Sequence, residues 1–337
     1  MKSLNYYRDK YIRSQPSAFC PGCGGGIILN SFLRAIDDLG IDQDKILAVS
    51  GIGCSAWIPS PNFKGDTLHT THGRAIAYAT GAKAVNPELK TVVFTGDGDG
   101  AGIGGNHLIH AARRNIDLTV ILVNNMSYAM TGGQIAPTSF HDEKTVTSPY
   151  GNPESPFDIT QLVKAAGATY VAKWSTYHVV ELQNSIKEAI NHRGFSFIEI
   201  LSQCPTQQRR IFNLKGPIDS LPPRILEMFK ESTIVKGKKH RDNYFYVVPK
   251  RSPRETLEEI TQDIDPKAVI VDHMGFGQVI KINDRELENK VEKIDTVEKL
   301  VGPQEGKVEL GIFEKKERPE FIDSLQKIIQ RAQREMQ

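Results

Sequence analysis

The sequence has few cysteines, no long apolar run and almost no net charge. Each shortage excludes something. Four cysteines among 337 residues, at positions 20, 23, 54 and 204, are too few for a disulfide framework in a chain of this size. Their number does equal the ligand set of one metal site or one iron–sulfur cluster. The longest largely apolar stretch, around Leu118 to Val123, is far too short to cross a bilayer. The first residues, Met1-Lys2-Ser3-Leu4-Asn5-Tyr6-Tyr7, carry no apolar signal core, so a cytoplasmic protein without a membrane partner is expected. With 42 basic and 40 acidic residues the formal charge is +2, which argues against a nucleic-acid surface held by bulk charge. Hydrophobic residues at 39% are enough to build a core, so disorder is excluded as well.

What is present reads as alternating strands and helices over the first 205 residues or so. Ile46–Ser50, Thr91–Thr95, Leu118–Asn124 and Phe195–Leu201 are apolar runs of strand length, with a weaker one at Tyr170–Lys173. Helical spacing lies between them at Gly25–Leu39, Gly73–Val85, Asn106–Asn115, Asp158–Ala166 and Tyr177–Asn191. This alternation predicts an α/β fold with a mostly parallel sheet and helices on both faces. Ligands of such sheets bind beyond the carboxyl ends of the strands. Glycines gather at those ends: Gly51 and Gly53, then Gly96, Gly98 and Gly100, then Gly132 and Gly133. From about Lys236 the chain turns polar, with strand-like pieces at Tyr244–Val248, Ala268–Val271 and Gln278–Ile282 and helical spacing in Pro319–Gln337. Residues 1–235 are therefore expected to form the main domain. Residues 236–337 are expected to form a charged linker and a C-terminal appendage that docks a partner.

Two motifs carry chemistry. In Thr95-Gly96-Asp97-Gly98-Asp99-Gly100, Asp97 precedes Asn124-Asn125 by the interval of a strand exit, a crossover helix and a second parallel strand. A carboxylate and an amide oxygen side by side suit a hard cation such as magnesium, which keeps substrate phosphates in its shell. Gly98 and Gly100 would let backbone N–H groups approach those phosphates. This spacing resembles the thiamine diphosphate motif. On that resemblance Asp97, Asn125 and the backbone carbonyl of Ser127 bind the magnesium, with Asp99 a near competitor. The second motif is Cys20-Pro21-Gly22-Cys23 together with Cys54 and Cys204. It is open to a thiol redox pair, structural zinc, a [4Fe–4S] cluster or inert buried cysteines.

Together the motifs resemble the β subunit of the 2-oxoacid:ferredoxin oxidoreductases. Further matching pieces are Gly51-Ile52-Gly53-Cys54, Thr71-His72-Gly73-Arg74-Ala75, Tyr128-Ala129-Met130-Thr131-Gly132-Gly133-Gln134 and Cys204-Pro205-Thr206, within about residues 18 to 210. The resemblance implies a thiamine diphosphate-binding fold holding thiamine diphosphate, Mg2+ and a [4Fe–4S] cluster on Cys20, Cys23, Cys54 and Cys204. It implies oxidative decarboxylation of a 2-oxoacid with coenzyme A, electrons passing to ferredoxin. Ser55, Asp97, Gly98, Asp99, Asn125, Ser127, Tyr128 and Met130 would line the cofactor, and His72 and Arg74 would act on diphosphate or the 2-oxoacid carboxylate. No glutamate for the aminopyrimidine ring lies in the matching segments. In the family it comes from an α subunit, so activity is expected only in an α/β assembly. Family members using 2-oxoglutarate often place a basic residue three positions after the third cysteine. Here Trp57 stands there, and Lys64 would substitute only if its loop turned inward. 2-Oxoglutarate is placed first, with pyruvate or another 2-oxoacid behind it. A non-oxidative thiamine decarboxylase and an electron-transfer scaffold are the readings from other classes.

Overall fold

A computed structural model describes residues 2–13, 18–141, 143–207 and 310–335, together with three strands between 244 and 282. The chain divides into two compact units. One comprises Met1–Pro222 and Ile312–Gln337, the other Pro223–Gly311.

The first unit is built on a seven-stranded sheet. Its strands are β1 (Ile46–Ser50), β2 (Asp66–His69), β3 (Lys90–Gly96), β4 (Thr119–Asn124), β5 (Tyr170–Ser175), β6 (Ser196–Leu201) and β10 (Gly311–Lys315). Their order is β10-β5-β6-β4-β3-β1-β2, and every pair from β5 to β2 is parallel. Strands β4 and β6 are buried along their whole length, which is why they read as continuous apolar runs rather than alternating ones. Successive residues face opposite layers. On β3, Val93 joins a cluster with Ala79 of α3 (Ala75–Val85), Leu108 of α4 (Gly105–Arg114) and Val163 of α5 (Ile159–Ala166). Its neighbour Phe94 packs edge-on against Phe32 of α2 (Gly24–Asp38), the ring centroids 5.1 Å apart. The helices α2 and α6 (Val179–Asn191) pack on each other. Helices thus cover both faces, as the alternation predicts. Among the described residues no helix is long and apolar enough to cross a membrane.

Because the inner strands are parallel, their carboxyl ends share one edge. The exits of β6, β4, β3 and β1 deliver Cys204, Asn125, Asp97 and Cys54 there, in that order along the sheet. The second unit contains a three-stranded antiparallel sheet of β7 (Tyr244–Val248), β9 (Gln278–Ile282) and β8 (Val269–Asp272), in that order.

The structure differs from the sequence-based division at 235. It returns the last 26 or so residues to the first unit. Strand β10 joins the sheet beside β5, and Ile322 of α7 (Phe321–Glu335) is 4% exposed within the same apolar cluster as Leu108 and Val163. Polar ties reinforce it. Glu320 accepts the N–H of Asp117 at 3.1 Å, and Asn115 Nδ2 donates to the Arg318 carbonyl at 3.0 Å. The chain leaves the first unit and comes back, an arrangement that composition along the sequence does not reveal.

Candidate functional site

A cleft opens at the shared carboxyl edge. It is lined by the turn after β1 (Ile52, Gly53, Cys54, Ser55), by His72, by Gly96–Asp99 after β3, and by Asn125 and Ser127–Thr131 after β4. Among the described residues its acidic side chains are Asp97 and Asp99, and no glutamate, lysine or arginine lines it. Eight of the sequence-predicted cofactor residues, Ser55, Asp97, Gly98, Asp99, Asn125, Ser127, Tyr128 and Met130, are brought together here, with His72 at 40% side-chain exposure on the rim.

Asp97 is 3% exposed and opens a π-helical run, Asp97–Ile103, that follows β3 directly. Burial pushes its carboxyl up to about 6, against hydrogen bonds from Thr138 and the N–H groups of Gly98, Asp97 and Ser127. A carboxylate in so dry a place, with no lysine or arginine lining the cleft among the described residues, has the chemistry to accept a cation. The Thr138 hydroxyl stands 2.8 Å from Asp97 Oδ2 and 2.8 Å from Asn124 Oδ1. Its one proton serves one acceptor at a time. Sequence reasoning missed Thr138. It lies in a loop 41 positions beyond Asp97, where the only local signal is the preceding Gly-Gly-Gln stretch.

The paired asparagines divide their work. Asn124 is buried and structural: its Nδ2 donates to Glu199 Oε1 at 2.7 Å, and its Oδ1 accepts the N–H of Met126 at 3.0 Å. That bond closes a turn in which Met126 takes a φ of 56°, strained for a residue with a β-carbon. The turn carries Asn125 to the cleft and aims the Ser127 backbone at Asp97. Glu199, 1% exposed, is balanced by Lys173 at 3.2 Å on the adjacent strand.

The glycines do different things. A β-carbon at Gly98 would lie 2.2 Å from the Tyr128 ring, so Gly98 lets Tyr128 close over the strand exit. Burial and then the Asp97 and Asp99 carboxylates push that phenol up. Gly100, expected at the phosphates, instead packs inward, where a β-carbon would meet Thr95 at 2.7 Å. Gly73 needs its φ of 74°, and a β-carbon there would strike Ile103 at 2.5 Å.

Arg74 is not part of the cleft. It is exposed and donates to His107 Nε2 on α4 at 2.9 Å. Burial, then the Arg74 charge, hold His107 below the usual imidazole range. Lys64 turns to the Asp9 carbonyl of α1 (Leu4–Tyr11) and does not line the cleft either.

None of the four cysteines is in a disulfide. Gln203, beside Cys204, fastens the Cys20–Cys23 loop to the β6 exit. Its Nε2 donates to the Gly22 carbonyl at 3.0 Å, and its carbonyl accepts the Gly24 N–H at 3.4 Å. A β-carbon at Gly24 would lie 2.2 Å from Ser202 Oγ, so the close approach requires glycine. Burial, and after it the neighbouring cysteines, push the Cys23 thiol up to about 11 and Cys54 up to about 12. A Cys23 thiol so raised is unlike the attacking thiol of a working redox pair, whose value is lowered. The mutual influence places all four in one neighbourhood. Yet among the described residues no three His, Cys, Asp or Glu side chains converge closely enough to hold one ion.

Comparison with known proteins agrees with this geometry. Residues 51–200 match the family described as thiamine pyrophosphate enzyme, C-terminal TPP binding domain. The chain is 54% identical over 231 residues to 2-oxoglutarate synthase subunit KorB of Methanothermobacter marburgensis, covering 68% of this chain and 79% of that one. It is 44% identical over 189 residues to the 2-oxoacid:ferredoxin oxidoreductase subunit beta of Saccharolobus solfataricus, covering 56% of this chain and 62% of that one. Among solved structures it superposes on a 2-oxoglutarate:ferredoxin oxidoreductase from Magnetococcus marinus with 2-oxoglutarate, coenzyme A and succinyl-CoA bound. The TM-score is 0.70 at 32% identity, over 98% of this chain and 92% of that one.

Proposed function

The chain belongs to the β subunits of the 2-oxoacid:ferredoxin oxidoreductases, and from that premise we propose which reaction it serves and which residues serve it. It is the thiamine diphosphate-binding subunit of an enzyme that oxidatively decarboxylates a 2-oxoacid, 2-oxoglutarate before pyruvate. One 2-oxoacid anion and one coenzyme A thiol give acyl-CoA, carbon dioxide, one proton and two electrons. The C1–C2 bond breaks, a C–S bond forms, and ferredoxin takes the electrons. An α subunit completes the enzyme, and the reaction is placed in the cytoplasm.

The observation that carries this reading is the placement of Asp97 and Asn125 on neighbouring parallel strand exits, with Cys54 on the next exit. The residues fit the groups they would hold. Asp97, the Asn125 amide and the Ser127 backbone carbonyl are a hard oxygen set suited to Mg2+ and its diphosphate. Cys20, Cys23, Cys54 and Cys204 suit a [4Fe–4S] cluster. When bound, thiamine diphosphate supplies the electron sink for decarboxylation, and the cluster supplies a one-electron acceptor. The chain's own part is to bind and orient. Gly98 and Tyr128 shape the floor, and Ser55 and Met130 wall the cleft. His72 stands on the rim, positioned to meet an anionic substrate group. Cys54 and Ser55 are consecutive, so cluster ligand and cofactor wall share one turn and the electron path is short.

Among the described residues the cleft has no glutamate for the aminopyrimidine ring and no lysine or arginine for a distal carboxylate. Both are assigned to the α subunit. Residues 236–311 have no part in this reading of the chemistry.

Asp97→Asn in the α/β complex tests the reading. Mg2+-dependent thiamine diphosphate binding, measured by calorimetry without turnover, should weaken on the order of 100-fold, with iron content unchanged. Unaltered binding would refute the magnesium assignment. A non-oxidative thiamine decarboxylase would keep Asp97 and Asn125 but contain no iron, which elemental analysis decides.

A further inference from the structure

Asp99 stands two residues from Asp97 and lines the same cleft, but its carboxylate has different partners. Oδ1 accepts the N–H of Ile52 at 3.2 Å and the N–H of Gly73 at 2.7 Å. Oδ2 accepts the hydroxyl of Thr95 at 2.6 Å. These donors come from three separate segments. Ile52 begins the turn that continues into Gly53, Cys54 and Ser55. Gly73 follows His72 in the turn before α3. Thr95 is at the end of β3. His72 Nδ1 also stands 2.7 Å from Oδ1, at an angle that leaves Nδ1 without a hydrogen bond. When the imidazole is protonated the two form an ion pair.

Two glycines exist to let this carboxylate in. A β-carbon at Gly51 would lie 2.0 Å from Asp99 Oδ2, closer than any real contact. Gly73 turns its N–H toward Asp99 in a left-handed conformation. The Asp99 carbonyl accepts the Gly104 N–H at 3.0 Å, which fixes the end of the π-helical run. The side chain is 3% exposed, so water does not compete for these bonds.

We infer that Asp99 is a positioning residue that ties the Cys54 turn and the His72 turn to the Asp97 turn. It sets the distance between the cluster-ligand loop and the cofactor loop. It is not itself a ligand of the magnesium or the diphosphate. The inference rests on the function proposed above and explains why a second aspartate follows the first in Gly-Asp-Gly-Asp.

The test uses the α/β complex, purified anaerobically and assayed without turnover. Three signals are read: iron per chain, the electron paramagnetic resonance line shape of the reduced cluster, and thiamine diphosphate affinity at saturating Mg2+. Asp99→Asn keeps an oxygen for the Ile52 and Gly73 N–H groups and turns its amide toward the Thr95 hydroxyl, which then accepts. It should stay within about threefold of the parent in affinity, with iron content and line shape unchanged. Asp99→Ala removes all three ties and should lose iron, alter the cluster signal and weaken cofactor binding about 10-fold or more. Should the alanine variant fail to fold, Thr95→Val and Gly51→Ala disturb the same knot from its two sides. Each should move the cluster signal and the affinity together.

If Asp99→Asn weakens Mg2+-dependent binding as much as Asp97→Asn while iron is retained, Asp99 is a metal ligand and the inference is overturned. Full iron content, parent line shape and parent affinity in Asp99→Ala, or in both Thr95→Val and Gly51→Ala, would also overturn it. Either result leaves the proposed function standing as long as Asp97→Asn behaves as described. Failure of Asp97→Asn sinks that function instead.

Discussion

At the scale of single residues, the site turns on a buried carboxylate that, among the described residues, no lysine or arginine of the cleft balances. The Asp97 carboxyl is held at about 6, above its value of 3.8 in an unfolded chain, chiefly by burial. The unfolded chain therefore loses this proton first. In the metal-free protein Asp97 makes folding less favourable as pH rises from about 4 to about 6, and the penalty is complete above that. A magnesium ion relieves the penalty only when the carboxyl is ionised. Stabilisation by Mg2+ and thiamine diphosphate, read as a rise in melting temperature, should be full at pH 7 and small at pH 5, and flat in Asp97→Asn. A melting shift that is equal at both pH values in the parent protein would contradict this. Thr138 is the second residue-scale determinant, because it is the side chain that fixes the Asp97 carboxylate. Thr138→Val keeps the shape and removes the hydroxyl. It should weaken Mg2+-dependent cofactor binding about 10-fold, while Thr138→Ser restores it. Equal affinities in the two variants would exclude Thr138 from the site. That Asp97 and Asn125 would share one edge was legible in the sequence, because a strand exit repeats at a fixed interval. Thr138 was not, since its contact depends on how a long loop folds back. The sequence put Asp97 ahead of Asp99 on the resemblance alone; their different partners appear only in the structure.

At the scale of elements, strands and helices were legible wherever apolar residues repeat. Ile46–Ser50 was read with the bounds the structure gives, and the other central strands within a residue or two. The misses have physical causes. Strand β2, Asp-Thr-Leu-His, is short, polar and at the sheet edge, so it lacks the apolar run of a doubly covered strand. The π-helical run Asp97–Ile103 contains three glycines, so propensity gave it no helical signal. Helix α7 was legible as a helix, but its partner was not. The apolar spacing at Phe321, Leu325, Ile328 and Ile329 gave no sign that Ile322 alone enters the core. Ile322→Ala should lower the stability of the chain by about 2–4 kcal/mol, whereas Ile328→Ala, at a position 65% exposed, should change it by less than about 0.5 kcal/mol. Denaturant unfolding of the two variants checks this, and equal effects would show that the helix is not anchored as described. Deleting Pro319–Gln337 would remove this anchor together with any docking face, so loss of α/β association after that deletion does not by itself reveal docking.

At the scale of the whole molecule, parallel strand order joins two chemistries. The sheet order β6-β4-β3-β1 puts Asn125 and Asp97, the proposed metal ligands, on the two inner exits and Cys204 and Cys54 on the two outer ones. The Cys20–Cys23 loop is carried to the same edge by Gln203 and the close approach at Gly24. Alternating strands and helices predicted that edge, but not which exits are neighbours along it. That order is decided by packing between segments far apart in sequence. Among the described residues the cleft at that edge is lined by no glutamate, lysine or arginine, which is why the proposed function assigns those groups to an α subunit.

The most direct test is the visible absorbance of the anaerobic α/β complex before and after adding 2-oxoglutarate with coenzyme A. The account predicts a brown iron–sulfur spectrum that 2-oxoglutarate bleaches and pyruvate bleaches less. In Asp97→Asn, dithionite should still bleach the cluster but the substrate should not. Absence of iron absorbance in an anaerobic preparation, or substrate bleaching that survives Asp97→Asn, would contradict it.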